Sequence, residues 1–306
     1  MRELHLVTGG AGFIGSHLAR KLAILGKKVR IVDNLSTGRI ENISDIPGSN
    51  VEFIKADIRH GVPWMNGVTH VYHLAALGSV PRSLVDPIRT EQVNVIGTLN
   101  ILEMARKIGV QRFVFSSSSS VYGNSTIFPR HESDATHPAS PYALSKLTAE
   151  HYCTLYNELY QLPVVLLRYF NVFGPRQRSD GQYCALIPIF IKAVMEGKAA
   201  VIEGSGLQMR DFTYVDTVVE ATISAGVEED AVGETINVAG GQEHSVVDVL
   251  NFIEDGCQKK VMRDFQPKRK GDAPRSLADI SQMKDILGVE PTPFAPSLLA
   301  TIESYR

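Results

Sequence analysis

Two short stretches carry residue types that can move a proton at neutral pH. One is Pro141-Tyr142-Ala143-Leu144-Ser145-Lys146; the other is the serine run Ser116 to Ser120, continuing through Val121 and Tyr122 to Gly123. Tyr142 and Lys146 lie one helical turn apart, so on a helix they share a face. A free tyrosine has a pKa of about 10 and is a poor base near pH 7. An ammonium beside the phenol favours the phenolate and lowers that pKa. The phenolate can then take the proton of an alcohol, and a hydroxyl from the serine run can hold the same oxygen and pass the proton along. Oxidising that alcohol also needs somewhere for a hydride to go.

The start of the chain supplies it. Leu4-His5-Leu6-Val7 reads as a buried strand, and Thr8-Gly9-Gly10-Ala11-Gly12-Phe13-Ile14-Gly15 follows. A helical pattern then runs to Gly26, and a second strand over residues 29–32 ends on Asp33. This is the strand, glycine turn, helix, strand, acid order of a dinucleotide site. Gly9 allows the tight turn, Gly12 the approach of the pyrophosphate, and Gly15 a close-lying helix whose free N–H groups face the phosphates. Asp33 falls where an acid binds both ribose hydroxyls of NAD and repels the 2′-phosphate of NADP, with Arg39 nearby as the cation that could offset that repulsion.

The elements that must position these groups alternate. Strands are expected over residues 51–56, ending at Asp57, then 69–74, 112–116 and 164–167, with helices over 88–108 and 142–160. Leu144, Leu147, His151, Leu155 and Leu159 run along one side of the latter helix. Repeated strand–helix units imply a Rossmann-type α/β fold with a doubly wound parallel sheet, whose ligands bind beyond the carboxyl ends of the strands. From Val172 the pattern changes, and a smaller C-terminal α/β substrate lobe is expected. The expected division is 1–171 for the nucleotide domain, with 211–241 returning to it, and 172–210 plus 242–306 for the lobe. A cleft between them is a favoured ligand site.

Composition narrows the function classes. The chain has 306 residues, 44% of them hydrophobic, enough for a full core. Its 31 basic and 33 acidic residues leave a net charge of −2, with no basic excess to hold nucleic acid or an anionic membrane. No run is long enough for a membrane span, and Met1 leads straight into the first strand. Three separated cysteines, Cys153, Cys184 and Cys257, fit a reducing cytoplasm better than a disulfide framework. No metal site is expected; His70 and His73 frame a strand and read as structural.

Thr8 to Gly15, His73-Leu74-Ala75-Ala76, Asn94, Ser116 to Gly123, Tyr142 to Lys146 and Leu167-Arg168-Tyr169-Phe170-Asn171 together resemble the extended short-chain dehydrogenase/reductases that act on nucleotide sugars, above all the UDP-sugar 4-epimerases. The resemblance implies Ser118 as the catalytic serine, Tyr142 as base and Lys146 as its tuner. It implies NAD held by Gly9, Gly12, Phe13, Ile14, Gly15, Asp33, Asn34, Asp57, Ile58, Leu74, Ala75, Ala76, Asn94 and Phe170. Asn171, Arg210 and Arg269 would hold the uridine diphosphate, and two guanidiniums suit a pyrophosphate. Related 4,6-dehydratases carry an Asp-Glu pair where this chain has Ser119-Ser120, which argues for epimerisation.

The same resemblance places Gly78, Ala185 and Ser276 at walls of the sugar site. Members restricted to hexoses have Asn and Tyr at the last two, so small residues at all three leave room for a 2-acetamido group. A homodimer is implied, through a four-helix interface of helices 88–108 and 142–160. UDP-glucuronate as substrate of an epimerase or decarboxylase, and a non-catalytic NAD-binding regulator, stand as alternatives; fold alone does not separate them.

Overall fold

The computed structural model describes residues 3–180, 184–268 and 275–306. Seven parallel strands form the central sheet: β1 (Leu4–Thr8), β2 (Lys28–Asp33), β3 (Val51–Lys55), β4 (His70–His73), β5 (Arg112–Ser118), β6 (Val164–Tyr169) and, after a long excursion, β11 (Thr235–Val238). Their order across the sheet is β3-β2-β1-β4-β5-β6-β11. The order reverses between β1 and β4, which opens a crevice beyond their carboxyl ends. The strands are near-continuous apolar runs because both faces are covered.

One face packs α1 (Phe13–Ile24) and α7 (Val215–Ala225) over Val7, Ile31, Val114 and Leu167. The other packs α4 (Gly97–Ile108) and α5 (Pro141–Tyr160) over Leu6, Val71, Phe113 and Leu166. The single helix expected over 88–108 is more articulated. It is preceded by α2 (Val80–Val85) and starts as α3 (Pro87–Glu91), then widens into a π turn over Gln92–Ile96 before α4. Ser79 and Asp86 each cap a helix start, their side chains accepting from Arg82 N and Arg89 N.

The smaller lobe gathers α6 (Leu186–Glu196), α8 (Val246–Cys257) and α10 (Phe294–Glu303) around Phe190, Leu250 and Leu298. Three two-stranded ribbons surround them: β7 (Val172–Phe173) with β10 (Thr213–Tyr214), β8 (Ala200–Glu203) with β13 (Arg263–Gln266), and β9 (Met209–Asp211) with β12 (Glu243–Ser245). The chain returns to the sheet through α7 and β11. It also returns once more: Met283 of α9 (Ser281–Asp285), Leu287 and Val289 are buried in the nucleotide-domain core. The stretch 242–306 therefore does not belong wholly to the lobe. Its apolar residues around α9 fill the flank of β11, a destination their spacing does not encode. No helix among the described residues is long and apolar enough to cross a membrane.

Candidate active site

The glycine turn is built as a phosphate cradle. Gly9 takes φ +69°, and a Cβ there would sit 2.8 Å from Ala75 N, in the loop after β4. A Cβ on Gly15 would lie 2.3 Å from the Gly9 carbonyl oxygen. Gly15 thus lets α1 close onto the turn itself. No side chain caps α1 and its first turn holds no acid, so the positive end of the helix faces the cleft.

A cavity of about 410 Å³ runs along these carboxyl ends, lined by Gly9, Gly12, Phe13, Ile14, Gly15, Asp33, Asn34, Asp57, Ile58, Leu74, Ala75, Ala76 and Gly78 among others. Asp33 is fixed at its floor, accepting from Ala11 N at 3.1 Å and Leu35 N at 2.8 Å. Burial raises its pKa, and those two backbone bonds oppose the rise. Asn34 donates to Asp57 at 2.9 Å, and Asp57 also binds Arg59, whose hydrogen bond holds its carboxyl well below the usual range. Arg39 is ion-paired with Asp180.

Two residues expected to hold the nucleotide do not line this first cavity. Asn94, in the π turn, is 1% exposed. Its Oδ1 accepts from Leu77 N at 2.8 Å, and its Nδ2 donates to Ser145 Oγ at 2.9 Å. Its polar atoms are spent bracing the loop after β4 against α5. Phe170, also buried, lines the catalytic cavity and not the nucleotide cleft.

That second cavity, about 530 Å³, adjoins the first. It is lined by Ser118, Tyr142, Lys146, Gly78, Phe170, Asn171, Ala185, Arg210 and Ser276, drawn from widely separated regions of the chain. Ser140 caps α5, accepting from Ala143 N at 3.1 Å, and Pro141 holds the first-turn φ, so Tyr142 enters in the first turn with Lys146 one turn on. Burial pushes the Tyr142 phenol above its ordinary pKa, and a hydrogen bond with Ser118 opposes that. Burial pushes the Lys146 ammonium down to about 8, with Cys153 and Glu150 opposing. Lys146 Nζ donates to the Ser116 carbonyl at 2.7 Å. The expected lowering of Tyr142 by Lys146 is not found among the protein groups: burial raises the phenol, and Ser118, not Lys146, opposes the rise.

Below this layer, Glu150 and Arg168 form a buried pair, with Arg168 Nε at 3.0 Å and Nη2 at 2.8 Å from the two carboxylate oxygens. Ser117 donates to the same carboxylate. The pair locks α5 to the ends of β5 and β6, one turn from Lys146.

The substrate side joins distant segments. Asn171 takes φ +29° and donates from Nδ2 to the Asp211 carbonyl at 2.8 Å and to Ser276 Oγ at 3.4 Å. The Asp211 side chain ties Gly240 N at 2.8 Å and Ala278 N at 3.1 Å to this wall. Arg210 lines both this cavity and a neighbouring one of about 350 Å³ in the smaller lobe. A Cβ on Gly78 would meet nothing within 4 Å. Arg269 lies outside the described residues. Sequence reasoning missed Gln177, which lines all three cavities, and Arg176 and Arg178 beside it; the run Gly174-Pro175-Arg176-Gln177-Arg178 was the available signal. Among the described residues no group of side chains could hold a metal.

A doubly wound sheet with a glycine cradle at its switch point, opening onto a Ser-Tyr-Lys cavity, defines an NAD-dependent short-chain dehydrogenase/reductase. Residues 5–239 match the model of the NAD dependent epimerase/dehydratase family, and the chain belongs to that family; its cofactor is NAD. The UDP-glucose 4-epimerase of Mycolicibacterium smegmatis is 37% identical, with 98% of each chain covered. The UDP-N-acetylglucosamine 4-epimerase of Methanobrevibacter ruminantium M1, solved in complex with UDP-N-acetylmuramic acid, superposes with a TM-score of 0.95 at 38% identity, covering 100% of this chain and 99% of that one. The UDP-glucuronic acid 4-epimerase of Bacillus cereus, solved with UDP-glucuronic acid and NAD, gives 0.93 at 33% identity over 98% of each chain.

Proposed function

We propose that this protein is a UDP-hexose 4-epimerase that interconverts UDP-N-acetylglucosamine with UDP-N-acetylgalactosamine, and UDP-glucose with UDP-galactose, with NAD retained through each cycle. The observation that carries this reading is the lining of the catalytic cavity: Ser118, Tyr142 and Lys146 are present, and none of the described lining residues is Asp or Glu. Loss of water or carbon dioxide from the sugar calls for further acid–base groups, whereas epimerisation calls only for reversible oxidation at C4 and return of the hydride to the other face.

NAD, when bound, supplies the hydride acceptor. Tyr142 is the base that takes the C4 hydroxyl proton, and Ser118, which lines the same cavity, holds the same oxygen. Lys146 fixes the charge balance beneath them. Asn171 and Arg210 hold the diphosphate so that the 4-keto sugar can turn about its link to it. The open wall at Gly78, Ala185 and Ser276 supports acceptance of a 2-acetamido group. A homodimer formed through α3, the π turn and α5 is part of the same reading, supported by the exposure of Ile88, Ile96, Leu144, Leu155 and Leu159.

The test is turnover by the purified chain without added cofactor. Conversion of UDP-N-acetylglucosamine to its C4 epimer supports the proposal; stoichiometric consumption of added NAD marks a dehydrogenase, and carbon dioxide released from UDP-glucuronate marks a decarboxylase. Tyr142→Phe should cut turnover about a hundredfold or more while leaving NAD bound. Unchanged turnover would leave the phenol without a catalytic part, and no turnover in the parent would favour the regulator.

A further inference from the structure

Asp211 lines none of the three cavities, yet three segments of the substrate wall meet on it. The residue is fully buried. Its Oδ1 accepts from Gly240 N at 2.8 Å, in the loop that leaves β11, and its Oδ2 accepts from Ala278 N at 3.1 Å, two residues beyond Ser276. Its main-chain carbonyl accepts from Asn171 Nδ2 at 2.8 Å, and the same amide reaches Ser276 Oγ at 3.4 Å. A Cβ on Gly240 would lie 2.5 Å from the Phe212 carbonyl oxygen and 3.1 Å from Asp211 Oδ1, so only glycine lets that loop come so close. Ser276 N donates to the Met209 carbonyl at 3.0 Å, two residues before Asp211. Further along, the Ser276 segment pairs with Arg130, whose N donates to the Leu277 carbonyl and whose carbonyl accepts from Asp279 N, both at 2.8 Å. Asn171, Arg210 and Ser276 themselves line the catalytic cavity.

A carboxylate accepts on both oxygens at once. The protonated acid turns an O–H towards one of the two N–H groups, so one of the tied segments loses its partner. Burial pushes the Asp211 carboxyl up to about 7, and the backbone N–H bonds oppose the rise. Both bonding partners are neutral, and the charge of Glu243, its register partner on β12, raises it further. The other ionisable residues on these elements are engaged. Arg275 pairs with Glu243 at 2.7 Å, Asp279 accepts from Ser281 N at 2.8 Å, His244 stacks on Phe294 at 4.1 Å, and Arg210 donates to the Met209 carbonyl at 2.8 Å. We propose that Asp211 is a positioning residue for substrate binding: as a carboxylate it holds the wall that presents Asn171, Arg210 and Ser276 to the UDP-sugar, and on protonation it lets that wall go. The proposal rests on the UDP-sugar reading and adds to it a proton linked to substrate affinity. A substrate that needs the closed wall favours the carboxylate, so binding below neutral pH expels a proton, and affinity falls as pH drops. None of the described residues lining the three cavities is a histidine, so such a proton points to a buried carboxyl.

The experiment is calorimetry on the full-length, NAD-loaded chain with UDP-N-acetylglucosamine and UDP-glucose, from about pH 5.5 to about pH 8, in pairs of buffers with different ionisation enthalpies. The diphosphate of these ligands stays ionised throughout. The expected result is affinity about tenfold or more weaker at the acid end, with close to one proton released per sugar bound near about pH 6. Asp211→Asn does not titrate and accepts on one side only. In that variant the proton release should vanish, affinity should be weak across the whole range, and KM should rise about tenfold while kcat stays within about threefold. A purely structural role would shift the melting temperature and leave the proton count as it was. Binding of equal strength across the range without proton release would overturn the proposal in the parent chain, with no need of the variant, and would leave the UDP-sugar reading standing. Proton release that persists in a folded Asp211→Asn would overturn it as well. Binding of neither sugar at any pH would sink both.

Discussion

Lys146 Nζ donates to the main-chain carbonyl of Ser116 at 2.7 Å, tying the catalytic helix to the end of β5 two residues before Ser118. Lys146 is 4% exposed, and its ammonium lies 4.9 Å from the Phe115 ring centroid. The site therefore holds a cation in a place that disfavours cations.

That burial has a cost in stability whose sign follows from the pKa. Burial depresses the folded-state value to about 8, against 10.5 for a free lysine. Between those two values the unfolded chain binds more protons, so stability rises with pH across that window and the deficit is fully present below pH 8. Lys146→Met should accordingly be inactive yet melt above the parent at pH 7, by an amount on the order of 1–3 kcal/mol. The gap should narrow as pH rises from 8 towards 10.5. Thermal melts of nucleotide-free protein at pH 7 and pH 10 check it; a variant less stable at pH 7 contradicts the account.

Ser276 lies beside Asn171, and its backbone N donates to the Met209 carbonyl at 3.0 Å. A tyrosine there would place a ring against the sugar. Ser276→Tyr should lower kcat/KM for UDP-N-acetylglucosamine about a hundredfold while UDP-glucose changes little, since the acetyl group clashes and a hydroxyl does not. Equal losses on both substrates would remove Ser276 from the sugar site.

Leu144, Leu155 and Leu159 project from α5 on the side away from the sheet, and Leu159 is 67% exposed. The sheet-facing side is instead Lys146, Leu147, Ala149, Glu150 and Cys153. With Ile88 and Ile96 these leucines form an apolar face that a second copy would cover. Leu155→Glu combined with Leu159→Glu should convert a dimer to a monomer in light scattering at micromolar concentration, without changing the fold by circular dichroism. A parent chain that is already monomeric rules the interface out.

The segment 175–180 crosses from the smaller lobe to the rim of the nucleotide cleft. Arg176 donates to the Asn42 carbonyl at 2.7 Å and pairs with Asp45 at 3.0 Å; Asp180 accepts from Arg39. Both Arg176 and Asp180 line the cleft. Each exposed pair is weak singly and is screened by salt. Arg176→Ala should release NAD about three- to tenfold faster, and 1 M salt should narrow the difference. NAD content after gel filtration, read by absorbance, measures it; identical retention would show that these contacts do not hold the cofactor.

The sequence by itself determined what depends on spacing along one element. Gly9, Gly12 and Gly15 could only serve a turn between a strand and a helix, and Tyr142 and Lys146 share a face because the helix repeat puts them there. The alternating apolar runs required a parallel sheet, since each strand had to be covered on both faces. Tertiary structure alone decided the encounters between distant segments. Asn171 meets Ser276 across 105 positions, Asn94 turns inward to Leu77 and Ser145, and α9 rejoins the first domain's core. Arg130 reaches the catalytic cavity only because its backbone pairs with Ala278. Local periodicity carries no record of such meetings: they arise from how the chain crosses between its two lobes, and from the need to satisfy each buried polar atom wherever that crossing leaves it.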